Sequence, residues 1–342
     1  MDLEQVPSAG VDTASGDVVE DVPQALLNFR HSNPDKETDI LDIDLVDKDD
    51  IQACAGYVRE IYEYLLASEG KYQLSPGFLD HQADFTAEDR TVLVDWIARC
   101  HTRFNLANES FFHCVTILDT YLSRCEVSRA NSRLLGIACL FIAAKYEQSY
   151  IPSLRHFVDA LNQCELEYLP ICKCQNPRSG ACYTCSREAI IEMEETVLHA
   201  LDFMLAMPTI LTFLRRYARI CEMKNRDRYI AFYISELTCL TTSMLQFKPS
   251  EIAAGCIAMS RRLTRKSTWD ETLEKYSGYS EADTKKVMTE ISTILKKYAC
   301  SSKARYIRRK YSQEDRFYGV SIMIESVVNQ ALNLQKGDKP TA

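Results

Sequence analysis

The sequence predicts an all-α fold made of two tandem helical units, and three observations carry that prediction. Only 11 Gly and 10 Pro punctuate 342 residues, too few turn-makers for a strand-rich chain. Apolar residues make up 46% of the total and recur at spacings of three and four, the period of an amphipathic helix. The succession of stripes then restarts after Met207-Pro208, as expected of a duplicated unit.

Residues 1–45, with scattered Ser, Gly, Pro and Asp, read as an acidic, mostly disordered tail. Residues 46–86 hold an N-terminal helix and a linker. Its stripe is Ile51, Cys54, Val58, Ile61 and Leu65, ending near Ser68 to Gly70, and Ser75-Pro76-Gly77 marks the loop beyond. The first unit spans 87–206. Thr86 caps a helix whose face is Leu93, Ile97, Cys100 and Phe104, and Asn108 is the expected N-cap of a second carrying Phe111, Val115, Leu118 and Leu122. The third, RLLGIACLFIAAKYEQ, is apolar on every side, which suits a hub surrounded by other helices. A short helix from Ser153 and a longer one from Ser186 to about Leu201 complete five. The second unit, 207–300, repeats the scheme with stripes on Leu211, Ile230, Ile252 and Val287, and SEIAAGCIAMSRRL is its small-residue hub. A basic, aromatic extension, 301–342, is expected to wrap the surface.

Charge narrows the function classes. Residues 1–50 contain 14 acids against Arg30, Lys36 and Lys48, so the acidity behind the formal −8 belongs to the tail. The near-neutral body lacks the broad basic field of a nucleic-acid binder. The longest apolar run, Leu134 to Ala144, is too short to span a bilayer, and no signal-peptide pattern opens the chain. The 14 cysteines therefore read as thiols or metal ligands. Cys172, Cys174, Cys182 and Cys185, in an insertion over 164–185, have a C-x-C-x7-C-x2-C spacing that can close a structural zinc site. Free thiols on a loop are the other reading, and no cofactor is otherwise required. No phosphate-cradling Gly loop, H-E-x-x-H or nucleophile elbow points to an enzyme.

Two ions interrupt apolar stripes: Lys145 follows Leu134, Ala138 and Phe141, and Glu194 lies with Ile190, Val197 and Leu201. A charge so placed must snorkel, pair internally, or meet polar groups of a partner. An internal Lys–Glu pair satisfies this as well as a docking surface does.

The stretches DRTVLVDWIARC, ILDTYLS and LFIAAKYEQ resemble the cyclin box, and PTILTFLRRYARI resembles the start of the second box in B-type cyclins. YVREIYEYL, WDETLEKYSGYS and RRKYSQEDRFYGVS extend the resemblance over most of 47–323. Arg90, Asp119, Leu134, Lys145 and Glu194 stand at positions that mark the box. The resemblance implies two tandem five-helix cyclin boxes with an N-terminal flanking helix and a C-terminal extension. It also implies a non-catalytic subunit that binds and activates a cyclin-dependent Ser/Thr kinase in G2/M or mitosis, resident in nucleus and cytoplasm.

By the same resemblance, Lys145 and Glu194 stay unmatched until they bond kinase backbone groups. Tyr146, Phe203 and Leu205 seat the kinase αC helix, and Ile51, Cys54 and Tyr57 add to the contact. Arg90 with Asp119, and Asp95 with Arg129, are expected as internal ion pairs. Asp89, Val92, Leu93, Trp96, Arg99 and Arg133 correspond to a groove that in many cyclins takes Arg-x-Leu substrate motifs. Asp89, Arg99 and Arg133 depart from the usual residues there, so a shifted preference, with Asp89 receiving the motif's Arg, is the expectation. A cyclin fold gripping DNA is the alternative, and Arg261, Arg262, Arg265, Lys266 and Arg305 to Lys310 are its candidate surface.

Overall fold

The computed structural model describes residues 43–46, 49, 54–162, 186–264, 266, 269–298 and 305–337. The N-terminal tail up to residue 42, Ile51 and the four cysteines of the insertion lie outside the described residues. Every regular element among those described is helical: α1 (Ile43–Val46), α2 (Val58–Glu69), α3 (Ala87–Arg103), α4 (Asn108–Arg124), α5 (Ser132–Glu147), α6 (Leu154–Asn162) and α7 (Arg187–Ala200). The second series is α8 (Ile210–Ile220), α9 (Asn225–Thr238), α10 (Pro249–Leu263), α11 (Glu271–Ser277) and α12 (Glu281–Tyr298), followed by α13 (Arg305–Tyr311), α14 (Glu314–Phe317) and α15 (Val320–Gly337). Helices α3 to α7 and α8 to α12 thus form two units of five.

The helix starts follow local chemistry. Thr86 and Asp89 make a reciprocal capping box at α3, each side chain accepting from the other's backbone N–H. Ser186 caps α7 by accepting from Ala189, and Asp270 caps α11 by accepting from Leu273. Gly278, at φ 76°, closes α11 in the left-handed conformation that glycine adopts without strain. Two expectations shift. α2 begins at Val58 rather than near Ile51, because Cys54 at φ 49° cannot continue a right-handed helix. Asn108 is the first residue of α4, not its cap; Ala107 takes that place, with no side-chain cap bond.

The hubs are α5 and α10. In α5 every residue from Ser132 to Ala144 is buried, and the helix packs on α3, α4, α6 and α7. α10 packs likewise on α8, α9 and α12. A glycine in each allows the closest approach. A β-carbon on Gly136 would lie 3.0 and 3.2 Å from the δ-carbons of Leu93 and Ile97, while one on Gly255 would lie 2.4 Å from Val287 Cγ1 and 2.8 Å from its Cβ.

Polar clamps join the units. Arg90 is fully buried and bidentate on Asp119, with Nε to Oδ1 and Nη2 to Oδ2 both at 2.6 Å. Its Nη1 donates to the Cys239 carbonyl at 2.9 Å, and the Thr91 hydroxyl donates to Leu240 O at 2.9 Å. The Arg90 guanidinium and the Thr91 hydroxyl of the first unit therefore each satisfy a carbonyl just past the end of α9 in the second. Burial works against the guanidinium's charge, but the Asp119 carboxylate more than offsets it, and the net direction of the Arg90 pKa is up. Glu69, at the end of α2, accepts from Ser250 N–H at 3.0 Å and from its hydroxyl at 2.7 Å, capping the start of hub α10. Burial pushes the Glu69 carboxyl up, opposed by those two hydrogen bonds.

The C-terminal extension departs from expectation. It does not merely wrap the surface, because Ile307 and Tyr311 are buried and α13 packs on α3 and α9. Asp95 is the reason. Its two carboxylate oxygens accept the backbone N–H groups of Tyr306 and Ile307, both at 3.0 Å, a carboxylate on the first turn of a helix. At the other end of α13, Lys310 Nζ lies 2.5 Å from buried Glu236 and the Tyr311 hydroxyl donates to the same oxygen at 2.7 Å.

Candidate functional site

The predicted docking residues come from the C-terminal end of α5, the middle of α7 and the turn after it. α7 packs along α5, which carries Glu194 up to Lys145. Nζ bonds both carboxylate oxygens, at 2.6 and 2.9 Å. The two stripes thus meet, but the expectation that the charges remain unmatched in the free chain is overturned. A largely desolvated carboxylate left without a partner would be costly, and the ammonium within reach supplies the hydrogen bonds it has lost from water. The pair is asymmetric: the Glu194 side chain is 12% exposed and that of Lys145 43%. Lys145 also lies 4.2 Å from the Phe141 ring centroid.

The residues that follow Lys145 on α5, and the turn after α7, expose large apolar side chains. Tyr146 is 52% and Phe203 59% exposed, with Met204 beside them at 55%; Leu205 is half-buried. Phe203 projects because Asp202 and Phe203, at φ 52° and 57°, turn the chain through two consecutive left-handed residues. For a bulky aromatic this conformation costs about 1–2 kcal/mol. It is held by Arg124, whose Nη1 donates to Ala200 O at 2.7 Å and reaches Asp202 at 3.3 Å. Cys54 and Tyr57 enter through a different element, the exposed turn at the head of α2. That helix is anchored on the second unit through the Tyr62 hydroxyl to Thr212 O, 3.2 Å.

The structure rearranges the α3 face. Arg129 pairs with Asp89, at 2.8 Å, and not with Asp95, because both oxygens of Asp95 are committed to α13. Asp89 is buried in its capping box and that ion pair, so it is not a rim receptor for a substrate Arg. Leu93 faces Gly136 in the core and forms no groove floor. Val92 and Arg99 are half-exposed. Trp96 is buried, with the Arg133 guanidinium 4.8 Å from its ring and one Arg133 nitrogen donating to Leu161 O at 3.1 Å.

Sequence reasoning missed His113, which is buried behind Tyr146. Nδ1 lies 3.0 Å from Glu147 Oε1, Nε2 lies 2.8 Å from the Leu205 carbonyl, and the ring meets Tyr146 edge-on at 4.7 Å. A polar residue within the apolar run FFHCVTIL was its only signal.

Comparison with known proteins decides the family. Residues 60–206 match the family described as "Cyclin, N-terminal domain" and residues 208–326 the one described as "Cyclin, C-terminal domain". The G2/mitotic-specific cyclin-B of Patella vulgata is 32% identical over 313 residues, covering 90% of this chain and 71% of the relative. This chain belongs to the cyclin family. Cyclin-B of Spisula solidissima is 32% identical over 300 residues, 86% of this cyclin and 62% of that protein. For cyclin-B2 of Bos taurus the figures are 32% over 274 residues, 80% and 64%. The chain thus spans about two thirds of the length of these relatives. Among solved structures, a viral cyclin from herpesvirus saimiri matches at TM-score 0.52 and 18% identity over 66% of this chain and 96% of its own. A chain of the yeast RNA Pol II CTD kinase complex matches at 0.51 and 10%, over 72% and 76% respectively. Both likenesses concern the fold, and they agree with the all-helical, two-unit architecture of this cyclin.

Proposed function

We propose that this cyclin is the non-catalytic, activating subunit of a cyclin-dependent Ser/Thr kinase of the mitotic type, acting in nucleus and cytoplasm. The observation that carries the proposal is the exposure of Tyr146 and Phe203, with half-buried Leu205, on the segments that follow Lys145 and Glu194, with strained backbone spent on projecting Phe203. Burying each such side chain against a partner helix is worth ~1.5–3 kcal/mol. A surface that fits the kinase αC helix better in its inward position shifts the kinase toward its active state, and ~5.5 kcal/mol of differential affinity makes the switch nearly complete. The ion pair enters this contact preformed: two of the ammonium's donors are used by Glu194, and the remaining capacity faces outward for a carbonyl of the partner.

The α3 face is proposed as a secondary, substrate-docking surface with altered preference, since Arg133 lies over Trp96 and Asp89 is withdrawn into its cap. A nucleic-acid role is less well supported. Arg261 pairs with Asp270, Lys266 with Asp227, Arg308 with Glu325 and Lys310 with Glu236, so much of the candidate basic surface is already neutralised. Co-expression with a mitotic-type kinase, followed by a histone phosphorylation assay, tests the docking site. Lys145→Ala and Glu194→Ala should each cost ~2–5 kcal/mol of kinase affinity, because each leaves the other charge unpaired in the interface. Activation of wild-type strength by both variants would refute the assignment.

A further inference from the structure

We propose that His113 is a positioning residue, which braces the docking surface by holding one more proton than a neutral imidazole carries, shared with Glu147. The proposal deepens the docking reading and rests on it. The geometry is a matter of counting donors. Both ring nitrogens lie within hydrogen-bond distance of an acceptor, Nε2 of the Leu205 carbonyl and Nδ1 of the Glu147 carboxylate. A neutral imidazole has one N–H and one lone pair. If Nε2–H serves Leu205, the Nδ1 lone pair confronts a carboxylate oxygen at 3.0 Å unless a further proton lies between them. The His113 side chain is only 2% exposed, so water cannot fill the gap, whereas that of Glu147 is 24% exposed and can swing away.

The two acceptors belong to the two halves of the proposed docking surface. Glu147 ends α5, directly after Lys145 and Tyr146, and the Tyr146 ring rests on the imidazole. Leu205 lies two residues beyond Phe203 in the turn after α7. With the shared proton in place, His113 pins both segments to α4. Without it, the Glu147 contact becomes a repulsion, and the end of α5 loosens from the turn. Of the ionic groups that α3, α7 and α8 bring to α4 and α5, Arg90 pairs with Asp119, Glu194 with Lys145, and Arg215 with Glu109. His113 itself meets two titratable groups at contact distance among the described residues, Glu147 and the Tyr146 ring. The sign follows. The brace is present while the shared proton is held and is lost when rising pH removes it, because a neutral imidazole has one N–H for two acceptors.

The test has two arms. In the free cyclin, 15N NMR of the imidazole from pH 5.5 to 9 should show two protonated nitrogens at the acid end. Deprotonation should shift the Tyr146 and Leu205 amide signals together. In the kinase complex, wild-type affinity should fall about tenfold from the acid to the alkaline end, the scale of one charge-assisted hydrogen bond. Glu147→Gln allows a neutral imidazole to make both contacts, so its affinity should stay near the acid-end value and be flat with pH. His113→Phe should bind weakly and also without pH dependence. A ring that keeps a single N–H throughout the titration overturns the proposal, as does a Glu147→Gln profile that matches the wild type. If no kinase binds the wild type at any pH, the docking reading fails, and the NMR arm still decides whether His113 braces the two segments.

Discussion

Replacing Arg90 by Met tests what holds the two cyclin boxes together. Arg90 makes three buried hydrogen bonds, two to Asp119 at 2.6 Å and one to the Cys239 carbonyl at 2.9 Å. Methionine approximates the length of the stem but none of its donors. Removing one partner of a buried ion pair costs ~3–5 kcal/mol, because the remaining carboxylate is stranded or must take up a proton. The orphaned carbonyl adds ~1 kcal/mol. The expected loss of ~4–6 kcal/mol is a large part of the stability of a typical domain, ~5–15 kcal/mol. In Arg90→Met/Asp119→Leu both charges are gone, and the double variant should lose no more than ~2 kcal/mol, since an apolar pair of similar volume often replaces a buried ion pair at little cost. Urea denaturation at pH 7, followed by circular dichroism, measures Arg90→Met, Asp119→Leu and the double variant. Variants that lack Arg90 should also split the transition, since its bond to the Cys239 carbonyl joins one box to the other. A double variant whose loss equals the sum of the single losses would show that the residues do not act as a pair, and the reasoning would fail.

Two further predictions concern stability. Gly255→Ala should lower it by ~1–3 kcal/mol, because the new methyl meets the branched β-carbon of Val287, which cannot rotate aside. Gly136→Ala has its two shortest contacts with flexible δ-carbons and regains helix propensity, so it should stay within about 1 kcal/mol of wild type; thermal unfolding of the two variants separates the cases. Asp95 supplies a pH signature. Burial pushes its carboxyl up to about 6 although two backbone N–H groups and Arg308 oppose the rise. A group raised in this way contributes stability that is complete below its unfolded pKa, near 4, and is lost as pH rises through about 6. The difference between wild type and Asp95→Asn should therefore change by up to ~3 kcal/mol between pH 4 and 7, read as denaturation midpoints over that range. A constant difference would remove Asp95 as the titrating group.

Much of the fold was legible because helical period and breakers are local. The stripes on Leu93, Phe111 and Ile190, the Thr86 and Ser186 caps, and the small-residue hubs all describe a chain whose elements are decided within three or four residues. The pairing of Lys145 with Glu194 was legible as one of two alternatives, since each lay on a face directed at the other's helix. Asp89 and Asp95 were misassigned for one shared reason. A carboxylate six residues from another on the same helix can look like a neighbour of either Arg, and only the docking of α13 shows that Asp95 is already committed and Arg129 must turn to Asp89. His113 was invisible because its acceptors lie 34 and 92 residues away.

What the sequence determined by itself was the helical periodicity of the two boxes, the duplication, and the family. These depend on periodicity and motif, which every short window carries. Tertiary structure alone decided which ions neutralise one another, that Arg90 reaches into the second box, and that an imidazole underlies the exposed aromatic surface. A charge has no period: its partner is whatever acceptor the packed helices bring within 3 Å or so.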